Sequence, residues 1–424
     1  MKKLVATILT IAMILSMLGI VTTVAAAEDK TVITFFHRWP NEPKGPYMDQ
    51  VIAAFEAENP DIDIVLIDPV LNDSYKEKIR VLVGSSEIPD VFMSWSGSFG
   101  ENLVKSGRVL PVDDMIAQYP EWSSQIIESQ WGPFKYNGIQ YGIPWSMDGK
   151  VFYYNKTVFD ELGLSIPETW DEFISLLDTL VAAGYEAPIS AGFSGEWAVS
   201  HYMGILVQRM VDPAIVAKDY ALEGDFSDEG YVKAFDYFLE LSKYMTPDPC
   251  SVDHTYARNG FLDGDGVLCY MQLAEIKYLA DGADFEYSFF DMPAVPNGKG
   301  DPNELTGAPA GMMISAECQH PEEAMAFVKF FINKENGGLM TKMTGELSCV
   351  KGAVNEQTVS SPKQLEAVDL ILKSTNTTLW QDNAVDATVA SAFMKGGQLL
   401  LTGDMTAEQV MQSVQAAAKE AANK

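Results

Sequence analysis

The sequence predicts an α/β protein of two lobes that the chain crosses more than once. Short apolar runs ending in turn residues alternate with amphipathic helical patterns, which is the signature of strands laid side by side through crossover helices. No internal repeat or long low-complexity linker divides the chain. With 424 residues at 47% hydrophobic composition, it can bury more than one core.

The chain opens with Lys2 and Lys3, an apolar run from Leu4 to about Leu18, and small residues ending at Ala25, Ala26 and Ala27. That order reads as a secretory signal at 1–27, with the mature chain starting near Glu28. The alternative is an uncleaved anchor, since residues 4–24 nearly match the length of a bilayer span. No cysteine near the cleavage site could accept a lipid anchor. The expectation is therefore an exported, soluble protein, periplasmic or extracellular.

Val32 to Phe36 follows as a continuous apolar run suited to a strand buried on both faces. Tyr47, Val51, Ile52 and Phe55 then recur at helical spacing, Asn59-Pro60 breaks the helix, and Ile62, Ile64 and Leu66 alternate as a strand does. A further strand reads from Val91 to Trp95, so this stretch forms a parallel sheet with crossover helices.

Thr169 and Glu172 make a capping box ahead of Phe173, Leu176, Leu177 and Leu180, and Gly184 supplies the stop. Helices also read from Glu229 to about Tyr244 and from Pro321 to Asn333, with proline in the first turn of the latter. The last helix opens on a second capping box, Thr406 with Gln409.

Acidic residues outnumber basic ones 59 to 29, for a net charge of -30. Loss of Lys2 and Lys3 takes this to 27 − 59 = -32. Nucleic acid and anionic membrane are excluded as partners on that balance. The four cysteines, Cys250, Cys269, Cys318 and Cys349, are too few for a disulfide scaffold. They read as buried thiols or one or two incidental bridges, Cys250 with Cys269 being nearest in sequence.

Catalytic signatures are sparse. Ser194 has Gly192 before it but Glu196 after it, so it forms no nucleophile elbow. The histidines, His37, His201, His254 and His320, make no metal pair, and there is no Walker loop. Asp263, Asp265 and Gly266 imitate part of a calcium loop, but Phe261 and Gln272 stand where carboxylates are needed. No catalytic residue, metal or cofactor is expected. A glycosidase pair among so many carboxylates stays open, since two acids need only meet in space.

Three tryptophans stand where strands give way to loops. Trp39 follows the first strand, Trp95 ends the strand Val91 to Trp95, and Trp145 lies in Tyr141-Gly142-Ile143-Pro144-Trp145-Ser146-Met147-Asp148. Ligands of open α/β sheets bind beyond the carboxyl ends of strands. An indole there offers an apolar face to the C–H face of a sugar, while neighbouring carboxylates and amides meet its hydroxyls. Any one tryptophan reads equally as a core residue.

The segment Gly138-Ile139-Gln140-Tyr141-Gly142-Ile143-Pro144, then Val151-Phe152-Tyr153-Tyr154-Asn155-Lys156, Leu162-Gly163-Leu164, Pro167 and Thr169-Trp170-Asp171-Glu172-Phe173 forms an ordered series. It resembles the signature of the family 1 extracellular solute-binding proteins of ABC importers, which are maltose-binding-protein-like. Ala54-Phe55-Glu56 with Asn59-Pro60, Pro89-Asp90-Val91, and Leu400-Leu401-Thr402-Gly403 support it. The same residues have a structural meaning: Tyr153, Tyr154 and Asn155 finish a buried strand, and Trp170 packs at a helix start.

The resemblance implies a two-lobe periplasmic-binding-protein-like fold with three hinge crossings and a ligand cleft between the lobes. The lobes would comprise 28–143 plus 297–352 and 144–296 plus 353–424. It implies a small-molecule ligand, a mono- or oligosaccharide, handed to ABC transporter permease subunits by a monomer that performs no chemistry. The alternative function is an exported carbohydrate-active enzyme, a glycosidase or lyase.

Site residues follow by position: His37, Arg38 and Trp39 after the first strand; Trp95 and Ser96; Trp145 and Asp148 at the first crossing. The second lobe adds Glu196, Trp197, Gln272 and Glu275, and Gly311 marks a return strand whose backbone nears the ligand. Relatives carry a tryptophan near the position of Glu275, so Trp197, or Trp380 with Asp382, is expected to supply the missing platform. Arg38 beside Trp39 suits an anionic sugar, or reads as a solvated surface charge.

Overall fold

The structure, a computed structural model, describes residues 30–41, 43–375 and 377–423. The expected signal at 1–27 lies outside the described residues. Among these, no helix is long and apolar enough to cross a membrane.

The first strands are β1 (Thr31–Phe36), β2 (Ile62–Ile67), β3 (Val91–Trp95), a short hairpin of β4 (Lys135–Tyr136) and β5 (Ile139–Gln140), β6 (Gly142–Met147) and β7 (Lys150–Asn155). They are followed by β8 (Ile189–Ser190), β9 (Leu268–Gln272), β10 (Tyr287–Phe290), β11 (Leu305–Thr306), β12 (Ala310–Ile314), β13 (Leu347–Ser348) and β14 (Thr377–Thr378). Two main sheets result. One has six strands in the order β13-β6-β12-β3-β1-β2, the other four in the order β10-β7-β9-β8.

The expected parallel start is present: β1 pairs in parallel with β2 and β3, with Phe35 opposite both Leu66 and Val91. β12 then returns antiparallel between β3 and β6, so the sheet is mixed. Because β1, β3 and β6 run the same way, their carboxyl ends emerge on one edge, and Trp39, Trp95 and Asp148 lie at or just past those ends.

The chain leaves the six-stranded sheet at Met147, the end of β6, and enters the four-stranded sheet at Lys150, so at this crossing only Asp148 and Gly149 lie between them. β6 lies whole in the first sheet, paired with β12 and β13, although 143/144 was the expected lobe boundary. β7 is buried on both faces, as its continuous apolar sequence requires. Val151 and Tyr153 join the core cluster that also holds the six-stranded sheet, while Phe152 and Tyr154 join the other.

Helix ends follow their local chemistry. The Thr169–Glu172 capping box opens the helix Trp170–Ala182, and Thr406 with Gln409 opens Ala407–Ala422. Pro321 stands in the first turn of Pro321–Phe331, which ends two residues before the expected Asn333. Trp170 is a packing residue whose Nε1 donates to Glu240 at 2.8 Å. All four cysteines are free, which corrects the Cys250–Cys269 bridge: Cys269 is a core residue inside β9, and Cys250 sits in a separate turn against the carbonyl of Gln398.

Candidate functional site: a cleft between the lobes

A cleft opens along the edge where β1, β3 and β6 end and faces the end of β9. Its larger chamber holds about 1600 Å³ and shares Arg38, Trp95, Trp197, Gln272 and Trp380 with an adjoining recess of about 430 Å³, open solvent included in both volumes. Trp39 and Trp95 come from the first lobe. Trp197 comes from the start of the helix Trp197–Met210, and Trp380 precedes the short helix Gln381–Ala384. Four indoles from four separate segments thus line one space.

Cations lie against these rings. The Arg38 guanidinium is 4.6 Å from the Trp95 centroid and 5.8 Å from that of Trp39, while Lys44 lies 4.7 Å from Trp39 and Lys76 4.9 Å from Trp95. Such contacts contribute roughly 0.5–2 kcal/mol and hold the ring planes in place. Arg38 is therefore a wall of the cleft rather than a solvated surface charge. Burial pulls its pKa down from the ordinary value, opposed by Glu346, Tyr75 and Asp148.

The charged groups are tied to one another. Lys44 pairs with Glu346, and Lys76 with Asp382 at 2.6 Å; Ser200 also donates to Asp382 at 3.1 Å. Glu275 has both carboxylate oxygens 2.9 Å from His254 Nε2, accepts from Arg258 at 3.1 Å, and caps the backbone N–H of Gln272 at 2.9 Å. Burial alone would raise the Glu275 pKa, but His254, Arg258 and Lys150 outweigh it and hold the carboxyl well below the usual range.

Asp148 behaves oppositely. Burial and the nearby Glu346 carboxylate push it up to about 7 against the backbone N–H groups of Ala274 and Gly149 that donate to it. The Gln272 side-chain amide donates to its other oxygen at 2.8 Å. A carboxyl poised this way can accept from or donate to a hydroxyl.

Of the residues marked in the sequence, Arg38, Trp39, Trp95, Asp148, Trp197, Gln272, Glu275, Trp380 and Asp382 line this cleft. Five others do not. His37 is buried, its Nδ1 accepts from the backbone N–H of Trp39 at 3.2 Å, and burial lowers its pKa to about 4. Ser96 donates to the carbonyl of Pro309, so both side chains shape the loops instead.

Trp145 points into the core, 4.5 Å from Trp39 and 5.5 Å from Phe331, and backs the Trp39 platform. Glu196 precedes the helix that carries Trp197 without lining the cleft. A side chain at Gly311 would meet the carbonyl of Ile143 at 2.7 Å and the ring of Phe134, so glycine serves strand packing there.

Sequence reasoning missed Lys44, Lys76, His201, His254, Arg258, Tyr278 and Glu346. The lysines, Arg258 and Glu346 read locally as solvated charges, whereas His201 lies on a helix buried along nearly its whole length. His201 and His254 were visible only as isolated histidines. Among the described residues no cluster of His, Cys, Asp and Glu could hold a metal.

The family model described as bacterial extracellular solute-binding protein matches residues 39–338. The multiple sugar-binding protein of Streptococcus mutans is 25% identical over 361 residues, covering 80% of this chain and 79% of that one. Two solved structures share the fold. A chitin oligosaccharide binding protein superposes with a TM-score of 0.83 at 22% identity, covering 93% of this chain and 100% of the other. A protein from work on xylan utilization by Caldanaerobius polysaccharolyticus superposes at 0.81 with 21% identity, covering 91% and 99%.

Proposed function

The chain belongs to the bacterial extracellular solute-binding protein family, a family of binding proteins rather than enzymes, and from that premise we propose that it captures a carbohydrate for an ABC importer. The observation that carries this reading is the convergence of Trp39, Trp95, Trp197 and Trp380 on one cleft whose wall also carries the ion pairs of Lys44 with Glu346 and Arg258 with Glu275. Indole faces stack on pyranose C–H faces, and ion-paired side chains present both donors and acceptors to hydroxyls. The name of the Streptococcus mutans relative, a multiple sugar-binding protein, agrees in class.

The mechanism is closure. Ligand stacks on first-lobe tryptophans, groups of the second lobe complete its hydrogen bonds, and that differential contact favours the closed form. The hinge crossings lie at Asp148–Gly149, within 291–309, and after Val350. Residues 1–27 direct export to the periplasm or cell exterior, the protein acts as a soluble monomer, and permease subunits recognise its closed form.

Incubation with raffinose, xylotriose and chitotriose tests the reading. A rise in melting temperature with the sugar recovered intact supports the binder. Release of shorter sugars supports the glycosidase or lyase alternative.

A further inference from the structure

Lys150 opens β7 opposite Gln272 at the end of β9, and it is only 1% exposed. Among the described residues its hydrogen bond goes to one imidazole, with Nζ 3.1 Å from Nδ1 of His201. An ammonium carries donors only, so Lys150 donates and Nδ1 accepts. The ring proton of a neutral His201 then sits on Nε2. Burial, followed by the charge of Lys150 and then His254 and Lys76, holds the His201 pKa well below its ordinary value and keeps the ring neutral.

His201 lies one turn after Trp197 on the same helix, so the two side chains share a face. Its ring centroid is 5.0 Å from that of Trp197, edge on, and it stacks on Trp380 at 4.3 Å with 18° between the planes. All three rings line the smaller recess. The Lys150 ammonium also lies 5.0 Å from the Trp197 centroid and 5.2 Å from that of Tyr270.

We propose that Lys150 is a positioning residue that locks His201 in its Nε2–H form, and that His201 thereby gives the recess a hydrogen-bond donor beside Trp197 and Trp380. Resting on the carbohydrate reading above, this specifies what the ligand presents there: an oxygen lone pair, from a hydroxyl or ring oxygen, flanked by two indoles. A ligand ammonium or N–H at that point would meet a donor and leave both unpaired. Charged and titratable groups surround the pair on every side, with Glu275, Asp148, Asp382 and Cys269 facing Lys150, and His254 and Lys76 facing His201. Burial lowers the Lys150 pKa to about 8, opposed by those acidic neighbours. The lock therefore holds at neutral pH and loosens as pH rises through about 8.

Long-range proton–nitrogen NMR of the histidine side chains in the ligand-free chain tests the lock, with the His201 signals assigned through His201→Gln. The expected result is a neutral Nε2–H ring from pH 6 to 7.5 in the wild type and a mixture of tautomers in Lys150→Met. An Nδ1–H ring or an imidazolium in the wild type overturns the proposal, whether or not Lys150→Met folds. The second arm measures affinity for whichever of raffinose, xylotriose and chitotriose stabilises the wild type. His201→Phe is expected to weaken it about ten-fold. His201→Gln, whose amide can replace the Nε2–H donor, restores most of the loss. Equal affinity of His201→Phe and wild type overturns the donor role. If none of the three sugars binds, the carbohydrate reading fails while the tautomer still decides the lock.

Discussion

The side-chain amide of Gln272, at the end of β9 in one sheet, donates to the carboxyl of Asp148 at 2.8 Å, at the point where the chain leaves the other sheet. One hydrogen bond thus joins the wall of the cleft to the first hinge crossing. Asp148 also receives the backbone N–H of Ala274 at 3.2 Å, so its protonation bears on both binding and the hinge.

Asp148 makes folding stability depend on pH. Its pKa is about 7 in the folded chain against 3.8 for the ordinary carboxyl, so the folded state holds a proton that the unfolded state has lost. Stability is full below about pH 4 and falls as pH rises toward 7. Because Asp148 is partly exposed, the loss is on the order of 1 kcal/mol. The advantage of Asp148→Asn over wild type in melting temperature is therefore expected to grow between pH 5 and pH 8. A constant difference contradicts this.

Trp39 and Trp95 differ in what their removal does. Trp39 is 3% exposed and packs on Trp145 and Tyr47, so Trp39→Ala costs about 3–5 kcal/mol of stability as well as binding. Trp95 is half-buried at the cleft face. Trp95→Ala is expected to weaken sugar binding at least ten-fold with a smaller loss of stability, as separate calorimetric and denaturant titrations would show.

Lys76 and Asp382 form an ion pair on the wall of the recess. Their side chains are 15% and 7% exposed, and Asp382 is held by Ser200 on the helix of Trp197. A double-mutant cycle with Lys76→Met and Asp382→Asn is expected to give a coupling of about 1–3 kcal/mol in denaturant unfolding. Additive effects contradict a direct pair.

Gly307 reports on the hinge without touching the cleft. A Cβ there would lie 2.1 Å from the carbonyl oxygen of Asp148, so Gly307→Ala must push the two crossings apart. It is expected to cost about 1–3 kcal/mol of stability and to lower ligand affinity, measured side by side.

What could be read in the sequence was whatever depends on neighbours along the chain. The boxes at Thr169 and Thr406 are local hydrogen bonds, and the tryptophans at the ends of β1 and β3 stand out because parallel strands send their carboxyl ends to one edge. Trp145 and His37 were adjacent to the right edge but face the core, a difference of side-chain direction that position alone does not settle. Lys76, His201, His254 and Arg258 escaped because packing between distant helices, not spacing, brings them to the cleft. Arg258 even reads as an ordinary helix-surface charge until Glu275 is placed 3.1 Å from it.

The central claim is that an intact sugar binds between these indoles. Calorimetric titration of the wild type and Trp95→Ala with raffinose, xylotriose and chitotriose tests it most directly. The expected result is saturable one-to-one binding of at least one sugar by the wild type, at least ten-fold weaker in the variant, with the sugar recovered unchanged. Binding of equal strength in both proteins, or heat from progressive cleavage of the sugar, would contradict it.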